Sequence, residues 1–187
     1  MRLQFLFVLI VTCILQSLAT GPVLAEQDPN GILAKRVGIW NAKVTIKVPQ
    51  EMTFEGQEKI GWALEHNYLM GKGFYDDNGD GKKTEVINLM TYSEVHKRYY
   101  MWEFKANGDV QPVPMVGVWD SQKEELVLSA DYGKLGSGAG TLKFENDGSF
   151  TWNFEVKNKK GIVVFSLEGT QVKVNKEKST AKQNKTK

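Results

Sequence analysis

Apolar and polar residues alternate along a stretch that begins at Trp40. The apolar positions are Trp40, Ala42, Val44, Ile46 and Val48, and the polar positions between them are Asn41, Lys43, Thr45 and Lys47. A period of two over nine residues predicts a β-strand with one buried face. Because a shift of one residue would move the whole apolar set into water, the register of this strand is well specified.

Comparable apolar runs recur at intervals of about ten residues as far as Val174, without a sustained helical period between them. They predict ten strands, near 39–48, 54–64, 66–75, 84–93, 97–105, 110–119, 124–131, 139–146, 149–157 and 162–174. Turn-forming clusters such as Asn146-Asp147-Gly148 separate the runs. Since so many strands must hide their edges, the pattern predicts an all-β, ten-stranded antiparallel barrel.

The sixth predicted strand begins with Pro112 and Pro114. Proline has no backbone N–H to donate to a ladder, so this start is predicted to be an edge, a bulge or a gap in the barrel wall. Such a gap would make an opening into the barrel.

A short helix is predicted before the first strand. Asp28 has the chemistry of an N-cap, Pro29 suits the first turn, and Gly38 is a stop signal. Ile32, Leu33 and Val37 would form the buried stripe. A helix this short does not stand alone, so we expect it to close one end of the barrel.

Residues 1–25 have the features of a secretory signal peptide. Arg2 is followed by the apolar run Leu3–Leu18 and by a small-residue cleavage signal that ends at Ala25. An uncleaved anchor is the alternative, although the apolar run is shorter than the roughly 20 residues that span a bilayer. We therefore expect a secreted or periplasmic protein with no transmembrane span after cleavage, consisting of a barrel domain over 28–174 and a disordered basic tail over 175–187.

Cysteine content and charge exclude some classes of function. The only cysteine, Cys13, lies in the predicted signal peptide, so a mature chain has neither disulfides nor a thiol nucleophile. The full chain carries a net charge of +2, but residues 26–174 hold 18 basic and 21 acidic side chains, a net of −3. The basic excess belongs to the tail, and nucleic-acid binding by the folded domain is not expected.

A short helix followed by Gly38-Ile39-Trp40 resembles the signature of lipocalins and lipocalin-like barrels. The longer succession resembles an uncharacterised bacterial family of such barrels, the domain-of-unknown-function family numbered fifteen-seventy-nine, over residues 32 to 174. Its segments here are LAKRVGIWNAKVTI, GQEKIGWALEHNYLMGKG, NLMTYSEVHKRYYMWEF, VGVWDSQKEELVLSA, FENDGSFTWNFEVKNKKG and FSLEGTQVKV. The resemblance implies a ten-stranded barrel that at most binds a small ligand. It also implies a structural base in which Lys173 packs across Trp40, next to Gly38.

Glu58 is the acidic residue of most interest. In the phase of Phe54, Gly56, Glu58, Ile60 and Trp62 it falls on an apolar face, where an unpaired charge would be costly. It is either a polar anchor for a ligand or turned outward by a bulge. The residues that we predict to line a ligand site are Glu58, Trp62, Trp102, Trp152 and Phe154.

Other chemistry has weaker support in the sequence. Asp76, Asn78 and Asp80 have the spacing of calcium ligands, but Ile87 occupies the position of the bidentate glutamate, so an acidic hairpin loop is favoured. His66 and His96 do not have a two-ligand spacing for zinc, and no nucleophile elbow occurs. No catalytic residue, cofactor or oligomeric state is predicted.

Three functional hypotheses remain from the sequence. The first is non-covalent binding of a small apolar or amphipathic ligand inside the barrel. The second is a structural or interaction protein with a filled core. An enzyme with a site inside the barrel is the least favoured, because no polar catalytic cluster is evident. The interior volume distinguishes the first hypothesis from the second.

Overall fold

The computed structural model describes residues 28–75, 83–106, 108 and 111–174. The chain divides into two compact units, Met1–Ile32 and Leu33–Lys187, and all the strands belong to the second unit. The elements are the helix α1 (Pro29–Ala34) and the strands β1 (Gly38–Val48), β2 (Met52–Ala63), β3 (Tyr68–Tyr75), β4 (Thr84–Ser93), β5 (Arg98–Lys105), β6 (Met115–Asp120), β7 (Glu125–Asp131), β8 (Ser137–Phe144), β9 (Phe150–Lys157) and β10 (Val163–Lys173), with a 3₁₀ turn at Gly133–Leu135.

The ten strands form a closed antiparallel barrel in which each strand pairs with its neighbours in the chain and β1 pairs with β10. The predicted all-β, ten-stranded lipocalin-like barrel is therefore confirmed. Nine of the strands begin and end within about two residues of the predicted bounds. Because the barrel is closed, the described strands leave no long free edge that could pair with another chain and cause aggregation.

The wall between β5 and β6 is the exception to this regular pairing. Its ladder runs only from Tyr99 opposite Gly117 to Met101 opposite Met115, because β6 begins at Met115 instead of residue 110. Beyond this ladder, the Gln111 N–H still donates to the Glu103 carbonyl over 3.1 Å. The proline-containing segment before Met115 cannot extend a regular ladder, which explains the predicted interruption of the wall.

Helix α1 begins as predicted and ends earlier. The Asn30 N–H donates to Asp28 Oδ1 over 3.0 Å, so Asp28 caps the helix. The helix ends at Ala34, and the chain turns before it reaches the strand. The prediction that Val37 is buried in the helical stripe is therefore corrected: Val37 is half-buried, and Arg36 is buried instead.

Trp40 forms the base of the barrel unit together with residues from distant strands. Its Nε1–H donates to the Arg36 carbonyl over 2.7 Å, and its ring lies 4.7 Å from that of Phe150 in an edge-to-face arrangement. Lys173 Nζ lies 5.3 Å from the Trp40 ring centroid, the contact that the lipocalin resemblance implies. Gly38 has φ of 151°, and a Cβ there would overlap the Lys173 side chain, so this position needs glycine.

Candidate functional site in the barrel interior

A cavity of about 400 Å³ occupies the barrel interior. Its lining runs from Glu58 and Arg36 near the base to Ile46 and Phe165 near the opposite end of the strands. A cavity of this size lies in the range that takes small-molecule ligands.

The walls of the cavity are mostly apolar. They are formed by Val44 and Ile46 of β1, Phe54 of β2, Trp152 of β9 and Leu167 of β10, among others. These residues point inward because each occupies the inner phase of its strand, which cross-strand pairing fixes: Val44 lies opposite Phe54, for example. Alternation along each strand thus gives the barrel an apolar interior.

Glycines on the inner face let large side chains lie against the wall. A Cβ on Gly169 would overlap the indole of Trp152, the residue opposite it on β9. A Cβ on Gly73 would overlap the ring of Tyr75. Because glycine has no side chain, these rings can lie close to the wall and leave the centre of the barrel open.

Four polar side chains lie at the lower end of the cavity, and we call them the polar floor: Arg36, Glu58, Asn88 and Gln171. Glu58 is only 1% exposed. Its Oε1 accepts a hydrogen bond from Asn88 Nδ2 (3.1 Å), and its Oε2 accepts one from Gln171 Nε2 (2.6 Å). Hydrogen bonds to a carboxylate are the stronger kind, so Glu58 is held in a defined position.

Arg36 supplies the cation of the polar floor and is 6% exposed. Its guanidinium carbon lies 4.9 Å from the Phe150 ring centroid, and Nη1 donates to Met90 Sδ. Burial lowers the pKa of Arg36, while the charge of Glu58 opposes this shift. Arginine keeps its proton under these conditions, so Arg36 remains a buried cation.

Two atoms of the polar floor lack a hydrogen-bond partner in the described part of the chain. They are Arg36 Nε and Gln171 Oε1, and both are buried. Buried polar groups are nearly always paired with protein or water, so each such atom calls for an explanation. One explanation is a ligand that occupies the cavity.

Tyr75 adjoins the polar floor and lines the same cavity. Burial, with a smaller contribution from Glu58, raises its pKa well above the usual 10.0. The phenol therefore stays neutral at physiological pH and adds no charge to the interior.

The structure brings three of the five predicted lining residues to the cavity: Glu58, Trp152 and Phe154. Trp62 lies opposite Leu69, with its ring 5.7 Å from that of His66, and it is not a lining residue. Its position near the base end of β2 places it below the polar floor. The role of the three lining residues in binding stays a prediction.

Trp102 was placed inside the barrel by the sequence pattern, and the structure corrects this. Met101 lines the cavity, so its neighbour Trp102 faces outward, where it stacks on Tyr100 at 6.0 Å. Because β5 carries apolar residues on both faces, its sequence has no clear phase. Only pairing with β4, where Met90 lies opposite Met101, determines the inner face.

The remaining candidate residues lie away from the cavity. Asp76, Asn78 and Asp80 fall outside the described residues. His66 and His96 lie in the β2–β3 and β4–β5 turns. Within the described ranges, no group of three or more His, Cys, Asp or Glu is arranged to hold a metal ion. No helix in those ranges is long and apolar enough to cross a membrane.

Sequence reasoning missed three of the four residues of the polar floor. Gln171 and Asn88 occupy inner phases of β10 and β4, so the alternation that singled out Glu58 could have found them as well. No local signal marks Arg36, which follows a helix and precedes a strand. Its burial depends on where α1 ends.

The fold is shared by solved structures of other proteins. One is Rv2717c from M. tuberculosis, with a TM-score of 0.59 and 13% identity over 79% of this chain and 98% of that one. Another is the S-type phycobiliprotein lyase CPES from Guillardia theta, with a TM-score of 0.53 and 13% identity over 78% of this chain and 92% of that one. No protein-family model matches the chain, and no curated protein matches it either. At these identities the likeness establishes the barrel fold alone.

Proposed function

We propose that this protein is an exported member of the lipocalin-like barrel family fifteen-seventy-nine, and that it binds a small amphipathic molecule non-covalently inside its barrel. The observation that carries the proposal is the cavity of about 400 Å³ with mostly apolar walls and a polar floor at one end. An apolar pocket with a few fixed polar groups is the usual form of a small-molecule site.

The arrangement of the lining favours an amphipathic ligand over a purely apolar one. An apolar body would be stabilised against side chains such as Phe54, Trp152 and Leu167. A polar group at one end would reach the polar floor, where Arg36 Nε and Gln171 Oε1 have no partner. The cavity thus offers open polar atoms at the polar floor and a mostly apolar wall beside them, as an amphipathic molecule requires.

The alternative of a structural protein with a filled core has less support. A filled core would leave no room between the rings of Trp152 and Tyr75, whereas both rings border an open volume. The phycobiliprotein lyase with the same fold supports a barrel that handles a ligand, at the level of fold only. A catalytic role has no comparable observation in its favour.

Uptake of the neutral apolar dye N-phenyl-1-naphthylamine tests the proposal. We expect its fluorescence to rise on binding and that of the protein's tryptophans to fall, because Trp152 lines the cavity. Leu167→Trp should fill the cavity and abolish uptake. The control Val172→Trp changes a residue that is 56% exposed and should bind as the wild type does. Equal dye uptake by all three proteins, or no uptake by any, would refute binding in the barrel.

Two further measurements address the source of the ligand and export. Native mass spectrometry of protein purified from its own cells should detect a retained small molecule, and its mass would identify the chemical class. N-terminal sequencing of protein from the periplasm or medium should begin at Glu26. Protein that stays in the cytoplasm and begins at Met1 would refute the export proposal and would leave ligand binding unaffected.

A further inference from the structure

The two unpartnered atoms of the polar floor have opposite hydrogen-bonding roles. Arg36 Nε–H can only donate, and Gln171 Oε1 can only accept. The side chains are 6% and 3% exposed, and both line the cavity. They also share a neighbour, since Gln171 Nε2 donates to Glu58 and Arg36 interacts electrostatically with the same carboxylate. A donor and an acceptor are therefore left open beside one fixed anion.

A ligand head that satisfies both atoms must itself accept and donate. A hydroxyl does both with one oxygen, and a primary amide does so with its carbonyl and its N–H groups. A carboxylate only accepts, so it would leave Gln171 Oε1 unpartnered. An ammonium only donates, so it would leave Arg36 Nε unpartnered.

The charges around the cavity also favour an uncharged ligand head. The ionisable lining residues, apart from tyrosines, are two cations and two anions, namely Arg36, Lys105, Glu58 and Glu103. Arg36 already interacts with Glu58, so neither is an uncompensated charge that awaits a counter-ion. A charged head brought to this depth would lose its hydration without meeting a net opposite charge, which is costly.

Resting on the function proposed above, we propose that the cavity selects amphipathic molecules whose head is uncharged and carries both a hydrogen-bond donor and an acceptor, such as an alcohol or a primary amide. The head lies at Arg36 Nε and Gln171 Oε1, and the apolar body extends along Trp152 and Phe54 towards the opposite end of the barrel.

Four probes with the same ten-carbon chain test the selectivity: decanol, decanamide, decanoate and decylammonium. Each displaces N-phenyl-1-naphthylamine from the full-length protein at neutral pH, below its critical micelle concentration. We expect the alcohol and the amide to compete at least ten-fold more tightly than either charged probe. If decanoate or decylammonium competes as tightly as the neutral probes, the head-group proposal is overturned while ligand binding stands. If the dye itself does not bind, the proposed function fails.

Variants test the docking position. Gln171→Met removes the open acceptor at similar volume, and Arg36→Lys keeps the charge but removes the Nε–H. Each should reduce the preference for the neutral heads at least five-fold, with dye affinity kept. The matched controls are Gln57→Met and Arg98→Lys, which change exposed residues. Wild-type selectivity in both floor variants would overturn the docking position. Circular dichroism establishes that each variant is folded, and the four-probe series on the wild type does not depend on the variants.

Discussion

Replacement of Glu58 by glutamine should destabilise the barrel strongly, although the two side chains have nearly the same shape. In the wild type the carboxylate accepts hydrogen bonds from Asn88 and Gln171 and faces the charge of Arg36. The amide keeps one acceptor oxygen and places an NH₂ group against a donor. Arg36 is then left as a buried cation without its anion.

The magnitude follows from these contacts. A hydrogen bond to a charged group contributes about 1.5–3 kcal/mol. The loss of the Glu58 charge also removes an electrostatic interaction that favours the buried guanidinium of Arg36. Because glutamine retains part of the hydrogen bonding, we expect Glu58→Gln to lower the free energy of unfolding by about 3 kcal/mol. For a chain of this size that corresponds to a fall in Tm of roughly 6–12 °C.

Urea unfolding followed by tryptophan fluorescence measures the effect. Glu55→Gln is the matched control, because Glu55 is exposed on the same strand, and it should change stability by less than about 0.5 kcal/mol. The double variant Glu58→Gln/Arg36→Met removes both charges and should recover at least about 1 kcal/mol relative to additivity. If Glu58→Gln costs no more than Glu55→Gln and the double variant is additive, the reasoning about the polar floor is wrong.

Three further predictions concern the interior and the base. Burial raises the pKa of Tyr75, so the phenol loses its proton at a lower pH in the unfolded chain than in the folded protein. The stability that neutral Tyr75 contributes is therefore present below about pH 10 and is lost as the pH rises further. Tyr75→Phe should therefore reduce the fall in urea midpoint between about pH 9 and about pH 11, and an unchanged fall would contradict this cause. Lys173→Ala removes the cation over Trp40, so it should lower the free energy of unfolding by about 0.5–1 kcal/mol and alter tryptophan fluorescence. The control Lys157→Ala should change neither readout. No change in either readout for Lys173→Ala would refute the contact. Gly169→Ala places a methyl group against the indole of Trp152 and should lower the free energy of unfolding by about 1–3 kcal/mol. Gly61→Ala, with nothing within 4 Å of the added Cβ, should leave stability nearly unchanged. Equal effects of the two substitutions would mean that Trp152 moves freely.

Much of the fold could be predicted from local pattern. Alternation over Trp40 to Val48 and over Phe150 to Val156 identified buried faces correctly, because a strand's period is a property of consecutive residues. Glu58 was placed on the inner face for the same reason. Pro112 and Pro114 marked the interruption of the wall, since a missing N–H has the same consequence in any barrel.

The errors occurred where local pattern has no single solution. Trp102 belongs to a strand with apolar residues on both faces, and only its pairing with β4 turns it outward. Val37 was expected inside because it continued a helical stripe, but the helix ends at Ala34 and Arg36 is buried instead. In both cases a neighbouring element decided the outcome.

The sequence by itself determined the strands, most of their inner faces and the base signature at Gly38 and Trp40, because these depend on residues close together in the chain. The tertiary structure decided the site. Gln171 meets Glu58 across 113 residues, and Arg36 joins them from outside the strands. Periodicity states which side of a strand faces inward, but barrel closure and cross-strand register determine which inward side chains meet and how much space remains between them.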